Sequence, residues 1–371
     1  MDDIWSSTTC DGVQRCFPDD NNGSRILSTS RLRKVAEYVS SGNSTTNMSF
    51  LDANESWNLF CNVFGQTKFL SVFEQIGRNI VKKCNGLPLA ITVIASLLSK
   101  TEVAMEKWNN IAENVSRYVI GDSNDACSKI LYLSYNQLPH HLKACFLYFG
   151  VFQEDYEMPV KKLVRLWAAE GFFRAVDHRN MEEVAMECLQ DLVDRSLVFV
   201  SKKSYNGKMK TVKIHDLLRD LCLREARHEN LLNVIEDDKL PFYKMKCYCR
   251  WISNASSDSH LLALAKCFHR SHSLHFPYNF ECVERLFLHF KLLRVVEMVQ
   301  TSSREYEGLY CLANLIHLRY LALSYKEYNS SKRRYFSLWY PEYHEFHLKR
   351  FENWNMQSFI VSGVNATLDS S

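Results

Sequence analysis

Asp2 and Asp3 are adjacent carboxylates at the start of the sequence, and Ile4 and Trp5 follow them directly. Paired carboxylates at the end of a buried strand can hold Mg²⁺ and orient a water molecule beside a phosphate, when a Gly-rich loop elsewhere cradles that phosphate. No GxxxxGK[ST] motif occurs among the 371 residues. Paired Asp residues at a terminus are also common as a solvated end or a helix N-cap, so both interpretations stay open.

Arg31 is a second candidate, because of the pattern that leads to it. The turn residues 21–23 precede the β-prone run Ser24–Leu27, and polar residues 28–30 then precede Arg31. A strand, a polar tip and an Arg at the carboxyl end are how an open α/β sheet presents a cation to a ligand. A surface Arg that merely follows a strand fits the same pattern.

Helical patterns must position the next candidates. Asp52 and Glu55 have the spacing of a capping box, which predicts a helix start. Phe69–Cys84 is amphipathic and Asn85-Gly86 predicts its end, after which Leu87–Leu98 predicts a very apolar helix. Pro88 falls in its first turn, where a missing amide hydrogen costs nothing.

Further helical patterns lead to a change of period. Two helices are predicted between residues 106 and 138, and others at 142–152, 160–167 and 181–192. Two β-prone runs, 197–200 and 211–214, then flank Asn206-Gly207, which is a strong hairpin signal. Helices followed by such a hairpin predict a winged-helix domain. His215 directly follows the hairpin.

A repeat begins near residue 270. Leu residues follow an LxxLxxLxxLxxLxL pattern at positions 309, 312, 315, 318, 321 and 323, and apolar residues at 287, 290, 293, 296 and 298 match it 25 positions earlier. Leu274 and Phe276 fit a third, shorter step. This period indicates leucine-rich repeats. The pattern stops after Ser324, and no regular structure is predicted for 325–371.

Composition excludes several classes of function. Lys and Arg total 45 against 42 for Asp and Glu, a net charge of +3 that gives no overall field for nucleic acid. The 13 Cys are scattered singly, as expected of reduced thiols. No secretory signal is visible, and the apolar run Gly86–Leu98 is shorter than the roughly 20 residues that span a bilayer. We therefore expect a cytoplasmic chain without a transmembrane segment.

Five motifs in order resemble those of the plant nucleotide-binding leucine-rich-repeat (NB-ARC) disease resistance proteins, over about residues 1 to 324. Asp2–Trp5 resembles the end of the Walker B element, and Gly23–Arg31 resembles the next strand motif. Gly86–Ala90 reads GLPLA, the segments from Leu142 to Tyr148 and Leu166 to Phe172 resemble the winged-helix motif, and Ile214–Asp216 stands where Met-His-Asp is usual. Trp5 further resembles the coiled-coil class. The sequence of residues 139–173 is similar to that of the late blight resistance group of the potato family.

The resemblance assigns a role to each candidate. Asp2 would help hold Mg²⁺ and Asp3 would orient water, and in the family both roles depend on a phosphate loop whose motif does not occur among the 371 residues. Arg31 would sense the γ-phosphate of ATP, Pro88 would pack on the adenine side of ADP or ATP, and His215 would donate to the ADP β-phosphate. In the alternative interpretation, His215 is an N-terminal helix residue whose ring nitrogen forms a hydrogen bond with Asp216 or with the backbone.

The fold class expected from this resemblance is mixed. It comprises a partial α/β nucleotide-binding domain (1–60), a helical domain (61–125), a winged-helix domain (126–235), the first leucine-rich repeats of an incomplete solenoid (236–324) and a degenerate tail (325–371). The family pattern would extend beyond the chain at both ends. Loss of three phosphate-loop hydrogen bonds would weaken nucleotide binding by about a thousandfold or more, so we expect no ATP hydrolysis by this chain alone.

The function implied by the resemblance is that of a fragment of an intracellular immune receptor, an ADP/ATP-dependent switch. Its repeats would bind a pathogen effector or a guarded host protein and trigger hypersensitive cell death, with self-association as a further contact and peripheral membrane attachment as a further location. The alternative is an interaction module that binds no nucleotide. A third hypothesis is DNA binding through basic residues near one helix and in the hairpin: Lys161, Lys162, Arg165, Lys202, Lys203, Lys208 and Lys210. The near-neutral net charge gives it no support, and we expect no nucleic acid partner.

Overall fold

The structure is a computed structural model that describes residues 4, 6–8, 26–40, 45–66, 69–101, 104–119, 123–173, 180–235, 249–254, 269–279, 287, 289–300, 315–326 and 333–339. The chain divides into two compact units, Met1–Leu51 and Asp52–Ser371, and each is described by itself. None of the helices in these residues is long and apolar enough to cross a membrane.

The first unit contains helix α1 (Arg33–Val39), whose Val35 packs against Ile4. The Ile4 amide donates to the Thr29 carbonyl at 2.9 Å, and the Ser30 hydroxyl donates to the Ile4 carbonyl at 2.6 Å. The residue that follows the paired carboxylates is therefore held beside the segment that leads to Arg31.

The strand predicted over Ser24–Leu27 is wrong for its two described residues. Ile26 and Leu27 lie outside any strand, and their side chains are 52% and 83% exposed. A strand is stable when its neighbours bury one of its faces, and these side chains face solvent. Residues 24 and 25 lie outside the described residues.

The second unit opens with a group of helices whose first member has the predicted capping box. The Asp52 side chain accepts the amides of Asn54 and Glu55, both at 2.8 Å, and the Glu55 carboxylate accepts the Asp52 amide at 2.9 Å. The helices of this group are α2 (Ala53–Phe64), α3 (Ser71–Lys83), α4 (Pro88–Lys100), α5 (Met105–Val119) and α6 (Ser123–Asn136). Helix α4 packs against both α2 and α6.

The predicted break between α3 and α4 is confirmed. Asn85 and Gly86 both have left-handed backbones, with φ of 50° and 71°, and Pro88 is the first residue of α4. An apolar helix with Ala90, Ile94 and Leu98 completely buried follows. This turn thus lets two helices succeed one another within a few residues.

A winged helix region follows, from α7 to α10. Its elements are α7 (His140–Leu147), a 3₁₀ turn (Tyr148–Val151), β1 (Met158–Pro159), α8 (Val160–Glu170), α9 (Met181–Asp194), β2 (Phe199–Lys203), β3 (Met209–Lys213) and α10 (Asp216–His228). The strands form an antiparallel sheet in the order β1-β3-β2, which confirms the predicted hairpin.

The helix predicted over 142–152 is correct only to Leu147, since the chain then tightens into the 3₁₀ turn. A side chain at Gly150 would approach the Leu223 amide nitrogen and the Leu232 side chain, both at 3.3 Å. The close approach of α10 and of the strand after it thus favours a glycine here, because a larger residue would need its neighbours to shift by a few tenths of an ångström.

A six-stranded sheet completes the second unit. Its strands, in the order in which they pair, are β4 (Leu232–Ile235), β5 (Trp251–Asn254), β6 (Ser273–Asn279), β7 (Val295–Gln300), β8 (Tyr320–Lys326) and β9 (Arg333–Trp339). Strands β4 to β8 are parallel, and we call them the parallel sheet; β9 pairs antiparallel with β8.

The predicted repeat residues fall in or near this sheet. Leu274, Phe276, Val296 and Met298 are buried strand residues, as the pattern requires, and positions 309 and 312 lie outside the described residues. The sequence missed β4 and β5, whose apolar residues precede the recognisable pattern. It also missed β9, in the segment for which no regular structure was predicted.

Each parallel strand after β4 begins with the same backbone connection, in which two successive amides donate to the carbonyl that precedes the previous strand. The amides of His272 and Ser273 donate to the Arg250 carbonyl at 2.8 and 3.2 Å. The amides of Arg294 and Val295 donate in turn to the His272 carbonyl at 2.7 and 3.1 Å. The connection places the residues before the strands in one row along one edge of the parallel sheet.

The capping box can be tested by substitution. Asp52→Ala removes the acceptor for two first-turn amides, and we expect it to lower the free energy of unfolding by about 1 kcal/mol. Asp52→Asn keeps an acceptor at the same place and should retain most of the stability. Urea unfolding measures both variants, and equal stability of the two would contradict a contribution from this cap.

Candidate functional site

The candidate residues of the first unit are described in part. Asp2 and Asp3, and with them the predicted magnesium site, lie outside the described residues. Arg31 is exposed and lies two positions before α1. In the parts of the chain that the structure describes, no group of three or more His, Cys, Asp or Glu side chains is placed to hold a metal ion.

Pro88 is exposed at the first position of α4. Leu87, which caps that helix, has no side-chain acceptor for the first-turn amides. An exposed apolar ring beside these amides is a suitable surface for a planar ligand group, and Pro88 has no amide hydrogen of its own to satisfy.

His215 is the N-cap of α10. Its Nδ1 accepts the Leu217 amide at 3.2 Å, and its carbonyl accepts the amides of Leu218 and Arg219, both at 2.9 Å. A neutral ring that accepts at Nδ1 carries its proton on Nε2. The His215 side chain is exposed, so cap formation leaves an outward donor. Pro88 and His215 begin two helices, α4 and α10, that both pack against α6.

Helix α4 is also joined to the winged helix region by polar contacts. The Ser96 hydroxyl lies 2.7 Å from that of Ser196, and Lys100 donates to Asp194 at 2.8 Å. Ser96 is buried, and Ser196 has a φ of 57° at the turn after α9. The helix that begins at Pro88 is therefore fixed at its far end to the turn before the hairpin.

Two arginines bind the carboxyl end of α8 to the parallel sheet. Arg250 donates to the Glu170 carboxylate at 2.9 Å and to the Glu170 carbonyl at 2.6 Å, and Arg294 donates to the same carbonyl at 2.8 Å. The last carbonyls of a helix lack partners within it and carry partial negative charge. The guanidinium groups supply both the hydrogen bonds and the opposite charge.

Glu170 itself is completely buried. Burial raises the pKa of its carboxyl group, and the Arg250 guanidinium opposes that rise. Gly171 ends α8 with a φ of 74°, and a side chain there would come within 2.9 Å of Arg294 Nη1. A glycine at this position therefore serves both the left-handed turn and the approach of the arginine.

A second polar cluster lies between the winged helix region and the parallel sheet. Lys162 of α8 is paired with Glu297 of β7, and the other carboxylate oxygen of Glu297 lies 3.2 Å from His275 Nδ1. His275 Nε2 lies 2.9 Å from the Tyr148 hydroxyl, and Tyr148 also packs edge-on against Trp251 with ring centroids 5.0 Å apart.

The charges of this cluster stabilise one another. Burial by itself would raise the pKa of Glu297, but Lys162 and His275 outweigh it and hold that pKa at about 2. Burial disfavours the charged form of Lys162, yet Glu297 raises the pKa of Lys162 above its usual value. Burial raises the pKa of Tyr148 well above the ordinary range. The pair is therefore ionised at neutral pH, and Tyr148 keeps its proton.

Sequence reasoning missed His275 and Glu297, although both carry a signal. Each is a polar residue between two buried apolar residues of a strand, and the two occupy the same register position of neighbouring strands. Arg250, His272, Arg294 and Arg319 likewise each directly precede a strand. A comparison of the repeats position by position would have found both rows.

Two of the basic residues named for nucleic acid binding have acidic partners within the protein. Lys162 is paired with Glu297, and Arg165 donates to Glu182 at 3.4 Å. Helix α8 packs against β7 and β8 on the side of Lys162. These side chains stabilise the fold and are not available to bind phosphates.

Gly171 and Gly207 provide a matched pair of substitutions. Both have left-handed backbones, with φ of 74° and 77°, but no atom lies within 4 Å of a side chain placed at Gly207. Gly207→Ala should cost about 1 kcal/mol of backbone strain. Gly171→Ala should cost roughly 1.5 to 3 kcal/mol more, because it displaces Arg294 from the Glu170 carbonyl. Equal losses of unfolding free energy would contradict this role of the arginine.

The environment of His272 predicts that the free energy of unfolding decreases in acid. Burial, together with Arg250, Arg294 and His317, lowers its pKa from 6.5 to about 4. The unfolded chain therefore binds a proton near pH 6.5 that the folded chain binds only near pH 4, so stability falls as the pH drops through this window, by up to about 3 kcal/mol.

The check is urea unfolding of the wild type and His272→Gln at a series of pH values. The difference between them should change between pH 6.5 and 4 and stay constant above this range. Protonation of Glu297 does not affect the measurement above pH 4.5. Its pKa is lowered from the ordinary value of 4.5, so its contribution to stability changes only as the pH falls below that value. A difference that is constant with pH would contradict the assignment.

Comparison with known proteins identifies two domain families along the chain. The NB-ARC domain family matches residues 1–69, and the Disease resistance protein Winged helix domain family matches residues 151–222. Among relatives from Solanum demissum, Late blight resistance protein R1-A is 38% identical over 242 residues, which are 65% of this chain and 18% of that protein.

Two longer matches are to putative late blight resistance protein homologs from the same species. One is 34% identical over 316 residues, 80% of this chain and 24% of that protein. The other, homolog R1B-12, is 32% identical over 346 residues, 87% of this chain and 25% of that protein. The chain thus spans about a quarter or less of the length of these relatives. These matches show that the chain contains regions of the NB-ARC and the Disease resistance protein Winged helix domain families and that it is similar to late blight resistance proteins of Solanum demissum.

Proposed function

We propose that the chain is part of an intracellular immune receptor that switches between an ADP state and an ATP state. The observation that supports this most is the geometry at His215. The backbone amide of Leu217 occupies Nδ1. The exposed Nε2–H is left as a fixed donor at the start of α10, where the positive end of the helix also favours a phosphate.

The other candidate residues would hold the remaining parts of the nucleotide. Pro88, exposed at the start of α4, would pack against the adenine, and Arg31 would bind the γ-phosphate as a forked donor. Asp2 would help hold Mg²⁺ and Asp3 would orient a water molecule. A bound nucleotide supplies the charge that these groups recognise, and its γ-phosphate distinguishes the two states.

The immune role rests on the relatives and on the parallel sheet. The relatives are named for late blight resistance. Successive parallel strands begin at Leu232, Trp251, Ser273, Val295 and Tyr320, a spacing that supports leucine-rich repeats. We propose that these repeats bind a pathogen effector or a guarded host protein, and that the response is hypersensitive cell death. The site of action would be the cytoplasm.

This function requires no catalytic turnover. A switch works through the difference in affinity between its states, and hydrolysis only resets it. The phosphate loop that the family uses does not occur among the 371 residues. We therefore propose that this chain by itself binds nucleotide weakly and is not an efficient ATPase.

A nucleotide-independent interaction module is the second candidate. It is favoured by the contact of α8 with the parallel sheet, in which Arg250, Arg294 and Lys162 all find partners within the protein. A chain held together in this way needs no ligand to keep its shape. The two candidates differ in what His215 must do.

Titration calorimetry with ADP distinguishes them through two variants of His215. His215→Asn keeps an N-cap acceptor but cannot reach a phosphate, whereas His215→Ala loses both functions. The switch predicts that both variants bind ADP about tenfold to a hundredfold more weakly than the wild type, the loss of one charge-assisted hydrogen bond. Only His215→Ala should also lose about 1 kcal/mol of stability.

His228→Ala is the matched control, because His228 is an exposed histidine at the other end of α10. It should leave ADP binding unchanged. An ADP affinity that is the same for the wild type and for His215→Asn would favour the interaction module, and the absence of any ADP response up to millimolar concentration would show that this chain by itself does not act as the switch.

A further inference from the structure

The β2–β3 hairpin concentrates positive charge in a chain that is otherwise nearly neutral. Residues 197–214 contain no Asp or Glu. They contain five lysines: Lys202, Lys203, Lys208, Lys210 and Lys213. None of the proposed roles in nucleotide binding or in the contact with the parallel sheet uses these side chains.

Two of the lysines are neutralised by the turn before β1. Lys202 is paired with Glu157 at 2.7 Å and Lys213 with Asp155 at 4.0 Å. The remaining three are exposed and have no acidic partner within the described ranges: Lys203, Lys208 and Lys210. The uncompensated charge is therefore confined to the outer half of the hairpin.

An aromatic side chain stands among these lysines. Tyr205 is fully exposed, at 109% of its reference area. The turn that presents it is ordered by hydrogen bonds from the Ser204 amide to the Lys208 carbonyl at 2.7 Å and from the Gly207 amide to the Ser204 carbonyl at 2.9 Å. Tyr205 is thus held at the apex of the hairpin, where it gains nothing from burial.

We propose that this surface, the wing tip (Lys203, Tyr205, Lys208 and Lys210), docks on the anionic headgroups of a phospholipid bilayer. Lysines near such a surface are attracted by its negative potential. Tyrosine prefers the headgroup region, because its ring is apolar and its hydroxyl stays hydrated. A convex tip can meet a flat membrane and needs no groove in the partner.

A nucleic acid fits the same charges less well. Winged-helix proteins that read a duplex need a helix in the groove as well as the hairpin. Here Lys162 and Arg165 of α8 are paired with Glu297 and Glu182, and α8 packs against β7 and β8. The hairpin alone offers too few phosphate contacts for a stable complex with a duplex.

The expected attachment is weak and depends on salt. Each lysine near an anionic surface contributes roughly a fivefold change in partitioning, so the three together contribute about a hundredfold. At low salt such an anchor can act alone, whereas at physiological salt it holds a protein at a membrane only together with a second attachment. The wing tip would then orient the winged helix region against the bilayer.

Cosedimentation of the whole chain with vesicles tests the proposal. The chain should bind vesicles of phosphatidylcholine and phosphatidylserine at low salt, and should bind neither pure phosphatidylcholine vesicles nor mixed vesicles at high salt. The triple variant K203S/K208S/K210S should bind the mixed vesicles about a hundredfold more weakly. Tyr205→Ser should weaken binding severalfold without changing its salt dependence.

The matched control is K82S/K107S/K161S, which removes the same charge from exposed lysines elsewhere in the second unit. It should bind mixed vesicles like the wild type. Equal losses in both triple variants would show an effect of overall charge and overturn the proposal. So would no binding of the wild type to mixed vesicles, or binding to random duplex DNA that depends on the wing tip while vesicles are not bound.

Discussion

The carbonyl of Glu170 is the point on which the arrangement of the second unit depends. It ends α8, so it has no partner within its own helix, and Arg250 and Arg294 both donate to it. These arginines also belong to the row of residues that precede the parallel strands and whose carbonyls receive the amides of the next strand. One helix end is thereby joined directly to the hydrogen-bond ladder that builds the parallel sheet.

The Lys162–Glu297 pair fixes the rotation of the same helix. Burying one charge is costly unless an opposite charge and further hydrogen bonds accompany it. Glu297 has both, because His275 contacts its second oxygen, and Tyr148 continues the chain of contacts back into the winged helix region. A slip of α8 along the sheet would leave these groups buried without partners. The cluster therefore favours one orientation of α8 on the parallel sheet.

Local features of this fold could be predicted from the sequence. The capping box at Asp52, the break at Asn85-Gly86 and the hairpin at Asn206-Gly207 are each encoded by a few neighbouring residues, and all three occur. The burial of Leu274 and Val296 also followed from periodicity. At Ile26 and Leu27, where the strand prediction was wrong, β propensity was not accompanied by burial of either side chain.

The polar contacts that orient the elements could not be predicted in this way. Glu170 lies 80 positions from Arg250, and Lys162 lies 135 positions from Glu297. No local pattern encodes such a pairing, because a charged residue inside an apolar stretch looks the same whether its partner exists or not. Among the candidate nucleotide residues, the cap formed by His215 was one of two alternatives in the sequence, and it is compatible with both proposed functions.

The backbone connection between successive strands has a consequence for how the sheet forms. Because the start of each strand donates to the carbonyl before the previous one, these hydrogen bonds exist only when both neighbouring strands are in place. The first acceptor in the series is the Leu231 carbonyl, which closely follows α10 and receives the amides of Arg250 and Trp251. The winged helix region thus supplies the first acceptor of a series in which the start of each strand provides the acceptor for the next strand.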